Sequence, residues 1–382
     1  MADYKRLGDY IREVNVRNRE LKVTNLLGVS ISKEFMPSIA NTIGTDMSAY
    51  KIVEQKQFAY GPVTSRNGDK ISVALLTNYE NAIISQAYTV FEITDHTKLL
   101  PEYLMMWFCR PEFDRYARYH SHGSARETFD WEEMCNVMLP IPSIDRQREI
   151  VAEYETLTRR IRLNEQMIQK LEATAQVLYH KMFVDGIDKD KLPEGWRMGT
   201  LGEYVELSQG IQVEIEDQSL IKQEGYNRFI RIIDYTPYTT EPPRYVSITN
   251  ERYYCTRDDI VMIRYGDAGT VCRRIEGMIA NNLFKITPTD RLSRNYLYWF
   301  LKDEQIQRQI KGAAASSTMP AITHTVIKGL QCVIPSSNIM SEFDDAVSVI
   351  EKGLCSKLDE SKKITELQSL LLAKMGNIIY KM

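Results

Sequence analysis

Between Ser143 and Phe183 apolar side chains recur at steps that alternate four and three: Ile150, Tyr154, Leu157, Ile161, then Asn164, then Ile168, Leu171, Ala175, Leu178 and Met182. This is the a/d spacing of a coiled-coil seam, one stripe of a helix buried along its length by a partner. Neither Gly nor Pro interrupts the stretch, and Ser143, following Pro142, offers a hydroxyl to cap the first turn. A helix of about 40 residues is roughly 60 Å long. An ordinary helix has three or four turns, so this stripe needs an unusually long cover.

The cover is found in the chain itself, because its pattern repeats. Arg6-Leu7-Gly8-Asp9-Tyr10 returns as Thr200-Leu201-Gly202-Glu203-Tyr204, and Tyr103-Leu104-Met105-Met106-Trp107-Phe108 as Tyr296-Leu297-Tyr298-Trp299-Phe300-Leu301. Leu139-Pro140-Ile141-Pro142-Ser143 returns as Cys332-Val333-Ile334-Pro335-Ser336, and Lys181-Met182 as Lys374-Met375. The offsets are 201 − 7 = 194, 296 − 103 = 193, 335 − 142 = 193 and 374 − 181 = 193. The chain reads as a tandem duplication, each copy a globular part followed by a long helix. Shifting the first seam by 193 places a second on Phe343, Val347, Ile350, Leu354, Lys357, Ser361, Ile364, Gln368, Leu371 and Met375. Both seams turn polar in the middle, at Asn164 and Lys357. A polar seam residue can fix register and partner at a cost in stability; a loose, wet layer is the other reading.

The expected fold class is α+β: two tandem mixed α/β domains separated by two long helices that form an antiparallel intramolecular coiled coil. The boundaries are residues 1–142, first domain; 143–183, first long helix; 184–195, a linker rich in Gly, Pro and charge; 196–335, second domain; and 336–382, second long helix. If the helices pair across a pseudo-twofold axis, the two domains lie tens of ångströms apart at opposite ends. Alternating and β-branched runs predict strands and turns over Val63–Leu76 and Asn81–Ile93. In the second copy they predict them over Arg228–Tyr235, Tyr245–Thr249, Ile260–Tyr265 and Thr270–Ile275. Helices are predicted over Pro101–Ala117 and Ser293–Lys311, with Trp107 and Trp299 in the core.

Composition narrows the function. At 382 residues the chain is too long for one core. Its six cysteines form no CxxC pair, so buried thiols are expected rather than zinc or disulfides. No apolar run approaches a membrane span and the MADYKRLGDY start is no signal peptide, so a cytoplasmic protein without membrane contact is expected. A net charge of −3 means any nucleic-acid contact depends on local placement of cations.

No P-loop, HExxH or GxSxG is present. Gly266-Asp267-Ala268-Gly269 reads as a strand turn and Glu241-Pro242-Pro243-Arg244 as a loop rather than methyltransferase motifs. His120 and His122 lack a second ligand pair, so no metal is expected. Binding chemistry is more visible. The first copy offers Arg66, Asn67 and Lys70 in a tight polar turn, then Arg115, Arg118, His122 and Arg126. The second offers Arg228, Arg231, Arg244, Arg264, Arg273 and Arg274, and a small-residue loop with Lys311, Ser316 and Ser317. Small residues let backbone approach phosphate, and Arg grips phosphate or guanine bidentately. For each alone, a surface charge or local salt bridge is the plainer reading; recurrence in both copies favours a shared surface.

The whole chain resembles the specificity subunits of type I restriction–modification systems. The resemblance is carried by Leu139-Pro140-Ile141-Pro142, by Gln147 and Ile150-Val151 opening the long helix, by Leu192-Pro193-Glu194-Gly195-Trp196, and by the Leu-Gly-Asp/Glu start of each domain. The second copy departs from it with Met340 in place of Gln147. The resemblance implies two target-recognition domains, each reading half of a bipartite, asymmetric double-stranded DNA target. It also implies a helix pair that sets their spacing and docks two copies of a methyltransferase subunit, with restriction subunits in the full complex. Such a chain is non-catalytic and binds no cofactor; S-adenosylmethionine, ATP and Mg2+ belong to its partners. The alternatives are a specificity subunit of another methylation or phage-defence complex, and a coiled-coil adaptor without DNA contact.

Overall fold

The computed structural model describes residues 4–38, 44–65, 67–123, 126–236, 241–314 and 321–376, and structural statements below concern these residues. The chain divides into two compact units, residues 1–163 with 360–382, and residues 164–359. Its helices are α1 (Pro101–Phe108), α2 (Pro111–Tyr119), α3 (Trp131–Asn136), α4 (Ile144–Phe183), α5 (Arg294–Lys302), α6 (Glu304–Ala314), α7 (His324–Lys328) and α8 (Ser337–Gly376). The two long helices are thus found where the seams predict them, at 40 residues each. Each unit contains half of each.

In the first unit a four-stranded antiparallel sheet runs in the order Ile11–Val14, Thr89–Ile93, Phe58–Tyr60, Val73–Leu75. Period-two alternation gives it two buried faces. Ile11, Phe58, Tyr60, Val73, Phe91 and Ile93 face a core shared with α1, α2 and the start of α4. Ala59, Ala74 and Val90 face a second cluster with Leu27, Val53 and Ile84. Phe58 and Phe91, paired across adjacent strands, stack at 4.8 Å, a contact worth roughly 0.5–1.5 kcal/mol beyond area. Tyr4–Arg6 pairs antiparallel with Met138–Pro140, closing the unit beside α4.

The second unit repeats the plan. Its sheet runs Val205–Gln209, Leu283–Pro288, Ile260–Ile263, Val271–Cys272. Val205, Ile260, Met262, Phe284 and Ile286 face α5–α8 and the end of α4, while Val261, Ile263, Cys272 and Leu283 face the other way. Even single hydrogen bonds recur. Tyr103 donates to Pro140 O in the first unit and Tyr296 to Val333 O in the second. Asp130 caps α3 and Thr323 caps α7.

Each predicted helix after the sheet is two helices. α1 stops before Pro111 and α5 before Asp303, whose carboxylate caps α6 by accepting from Gln305 N at 2.9 Å. Proline disfavours helix in the residue before it, and an Asp cap opens a new helix. The strand expectations were incomplete: Phe58–Tyr60, Val205–Gln209, Gly277–Ile279 and Leu283–Pro288 lie outside the predicted runs. Trp107 and Trp299 are core, 7% and 1% exposed.

The seam is covered along its length within each unit. In the first, Ile150, Val151 and Tyr154 share a core with Leu371, Leu372 and Met375, and Arg160 Nε donates to Glu360 at 2.6 Å. In the second, Tyr179 and Phe183 meet Phe343 at 6.3 and 5.0 Å, and Leu171 lies against Gly353. As one helix advances the other recedes, so both pairings are antiparallel. Leu157, Ile161, Ile168, Leu178, Val347, Ile350, Leu354 and Ile364 are likewise buried or half-buried. The polar middle is costly: Asn164 is 2% exposed and its amide nitrogen is buried without a hydrogen-bond partner. Burial also pushes the thiols of Cys255, Cys272 and Cys332 up to about 12.

The start of α4 is locked by Gln147. Its side chain is fully buried, accepts from Leu100 N at 2.9 Å, and donates to Lys98 O and Pro142 O at 2.8 and 2.9 Å. Gln147→Met, which installs the second unit's residue, orphans all three backbone groups. It should lower stability by about 1–3 kcal/mol, read as a lower denaturant midpoint with unchanged slope; an unchanged midpoint would show the lock is not needed.

Candidate nucleic-acid interface

One end of each sheet gathers the loops that carry the predicted residues. In the first unit the turn joining Phe58–Tyr60 to Val73–Leu75 meets the loop between α2 and α3. Val63 bridges Thr128, Phe129 N donates to Pro62 O at 2.8 Å, and Thr64 N donates to Glu127 O at 3.0 Å. In the second unit Tyr265 bridges Ala321, and Ile322 N donates to Arg264 O at 3.0 Å. The bridges are 321 − 128 = 193 residues apart. The same surface is therefore built twice, with different side chains on it.

In the first unit this junction collects most of its candidates. Asn67 is tied into its turn, its amide donating to Val63 O at 3.3 Å, and Lys70 is half-buried. Arg118 pairs with Glu127, and the exposed Arg115 with Glu112 at 3.4 Å. Glu133 stands between His120 Nδ1 at 3.0 Å and His122 Nε2 at 3.8 Å. Arg126 is exposed and pairs with no described residue. Arg66, Ser316 and Ser317 lie outside the described residues.

The second unit separates its candidates. Arg264 lies at the junction, half-buried, its guanidinium 4.9 Å from the ring of Tyr265. Lys311 faces Asp267 at 3.7 Å, with both side chains more than half exposed. His324 is close by; burial first, then the charges of Arg264 and Lys328, hold its pKa below the usual value. Arg228 and Arg231 serve instead as a local bracket. Both bond Asp234, at 3.0 and 3.1 Å, and Arg231 also donates to Pro242 O at 2.9 Å. Arg244 is half-buried with its Nε sealed from solvent.

Arg273 and Arg274 are not at a free surface, contrary to expectation. Their side chains are 6% and 10% exposed. Arg274 donates to both oxygens of Glu351 on α8, each at 3.1 Å, and to Glu172 on α4 at 3.2 Å. Arg273 reaches Asn295 at 3.0 Å, and both guanidiniums lie over Tyr298, at 5.2 and 5.5 Å. Burial opposes the charge of Arg274, but Tyr298, Glu351 and Glu172 outweigh it and raise its pKa above the usual value. A buried, bidentate, π-stacked arginine is a structural clamp.

Residues 15–173 match the family model for the type I restriction modification DNA specificity domain. The match lies across the first unit and into α4. The whole chain aligns with the HindI specificity subunit of Haemophilus influenzae, 22% identical over 99% of both chains. Along its length the chain is similar to the specificity subunits of type I restriction–modification systems. The fold agrees: the crystal structure of the S subunit from M. genitalium superposes with a TM-score of 0.58 at 13% identity, covering 100% of this chain and 97% of that one. No helix among the described residues is long and apolar enough to cross a membrane.

Sequence reasoning passed over two residues at the sheet ends, Gln86 and Asn281, exposed in turns before Thr89 and Leu283. Only their shared place relative to the repeat could have singled them out. For the clamp, Arg274→Ala removes the bidentate partner of Glu351 and leaves it Arg273 at 3.6 Å, while Glu172 keeps Lys302 at 3.6 Å. Thermal unfolding of the purified chain should show a loss of about 1–3 kcal/mol; an unchanged stability would return Arg274 to the candidate interface.

Proposed function

We propose that this chain is the sequence-reading, non-catalytic subunit of a type I restriction–modification complex, each globular part contacting one half of a split double-stranded DNA target. The observation that carries this reading is the duplicated loop junction at one end of each sheet, in a chain similar along its length to specificity subunits. Two copies of one scaffold with different loops suit an asymmetric target, since each reads its own bases. The recognition domains are residues 1–142 and 196–335, joined by the linker 184–195. The helices 143–183 and 336–382 set their spacing and dock two methyltransferase subunits. Restriction subunits complete the assembly, and S-adenosylmethionine, ATP and Mg2+ act on those partners.

The DNA-facing set is revised by exposure. Asn67, Lys70, Arg115, Arg118, His122 and Arg126 form it in the first domain, Arg264 and Lys311 in the second. Arg228, Arg231, Arg273 and Arg274 leave it, because their charges are already answered inside the fold, and so does Arg244, whose Nε is sealed from solvent.

Charge reversal tests the placement. Arg126→Glu and Arg264→Glu should each weaken DNA binding by the assembled complex and shallow its log–log salt slope by about 1. Co-purification with the methyltransferase subunit should be unaffected. Binding unchanged at every salt concentration refutes the interface.

A further inference from the structure

Gln86 and Asn281 occupy the same place in the two units. Thr94 N donates to Tyr10 O in the first and Thr289 N to Tyr204 O in the second, an offset of 289 − 94 = 195. Gln86 and Asn281 share that offset, 281 − 86 = 195. Each is an exposed amide in the turn before the sheet's second strand, at the end that carries the loop junction. Turn amides commonly bond their own backbone. These two instead meet a side chain arriving from the exit of the first strand. Arg17, held by Ala49 O at 2.6 Å, reaches Gln86 Oε1 at 3.5 Å. Gln212 Oε1 accepts from Asn281 Nδ2. The turn's backbone is pinned as well, Gln209 Nε2 donating to Asn281 O and to Leu283 O, the latter at 3.2 Å. The strand exit itself lies tight against the turn: a Cβ on Gly210 would stand 2.2 Å from Ala280 O.

An amide oriented in this way keeps a carbonyl lone pair and at least one N–H facing solvent. That donor–acceptor couple matches the N6 and N7 edge of adenine in the major groove, and no other base presents it. We infer that Gln86 and Asn281 are equivalent base-reading residues, each contacting an adenine in its own half of the target, with Arg17 and Gln212 as positioning residues. This rests on the DNA-reading function proposed above and deepens it.

The test uses the full chain with its methyltransferase subunit. Methylation is mapped across the genome for wild type, Gln86→Ala and Asn281→Ala. Each variant should lose discrimination at one A·T position, Gln86→Ala in one half-site and Asn281→Ala in the other. In binding assays of the assembled complex, 7-deazaadenine at that position removes the N7 acceptor. It should weaken wild type about 2- to 10-fold, the value of one hydrogen bond of the pair, and leave the matching variant's affinity unchanged. Both variants keeping the wild-type motif, or responding to 7-deazaadenine as wild type does, overturns the inference alone. Loss of all methylation in both variants with assembly intact also counts against it, since both side chains are exposed and each touches one half-site. A wild-type chain that yields no split motif overturns the DNA-reading function itself.

Discussion

A helix forty residues long with an apolar stripe cannot be stable with that stripe in water, and everything else in this chain follows from how the stripe is covered. Isolated helices gain little from propensity alone and depend on packing of one face. Here the cover comes from duplication. The first half of α4 lies against the last half of α8 in one unit, and the remaining halves pair in the other. Because the pairing is antiparallel, each globular part receives one helix beginning and one helix end. Ile150 and Met375 stand at one such junction, Phe183 and Phe343 at the other. The domain cores and the ends of the seam are thus one apolar continuum within each unit.

The two copies have solved equivalent problems differently. At the start of its long helix the first copy uses a buried Gln147 with three hydrogen bonds, the second an apolar Met340. Where the second copy packs Arg273 and Arg274 over Tyr298 and against Glu351, the positions equivalent to Tyr298 and Glu351 in the first copy are Met105 and Thr158. Those two residues line a cleft of about 550 Å³. Thr158 stands where the second copy has Glu351, so the first copy lacks the carboxylate an arginine clamp requires. The scaffold survived both arrangements because its hydrogen-bonded frame, from Tyr103–Pro140 to Tyr296–Val333, is common to both.

Periodicity decided what could be read in advance. The seam was legible because a/d spacing over ten positions has one interpretation, and the duplication because the offset of 193 recurs in separate motifs. Short strands such as Phe58–Tyr60 were not legible: three residues carry too little alternation, and burial on both faces erases what there is. Arginine was the least legible residue. Arg231 and Asp234, three apart, could have suggested a local pair, but Arg274 finds Glu172 and Glu351 on two helices distant in sequence. Nothing in an arginine's own neighbourhood distinguishes one destined for a carboxylate in its chain from one kept for a phosphate.

Under the proposed function, that neutralisation bears on how the chain would hold DNA. With a net charge of −3 and Arg228, Arg231, Arg257, Arg273 and Arg274 all paired to carboxylates, few cations among the described residues remain uncommitted at the sheet ends. Each phosphate neutralised contributes a slope of about 0.9 to the salt dependence. A surface with Arg126, Arg264 and a few weakly paired neighbours therefore supplies little sequence-independent affinity. Under that function, base-edge contacts carry a larger share of what this chain would contribute, and most phosphate contacts would fall to partner subunits. A reader with weak non-specific binding of its own discriminates well, because affinity for the wrong sequence is the background against which specificity is measured.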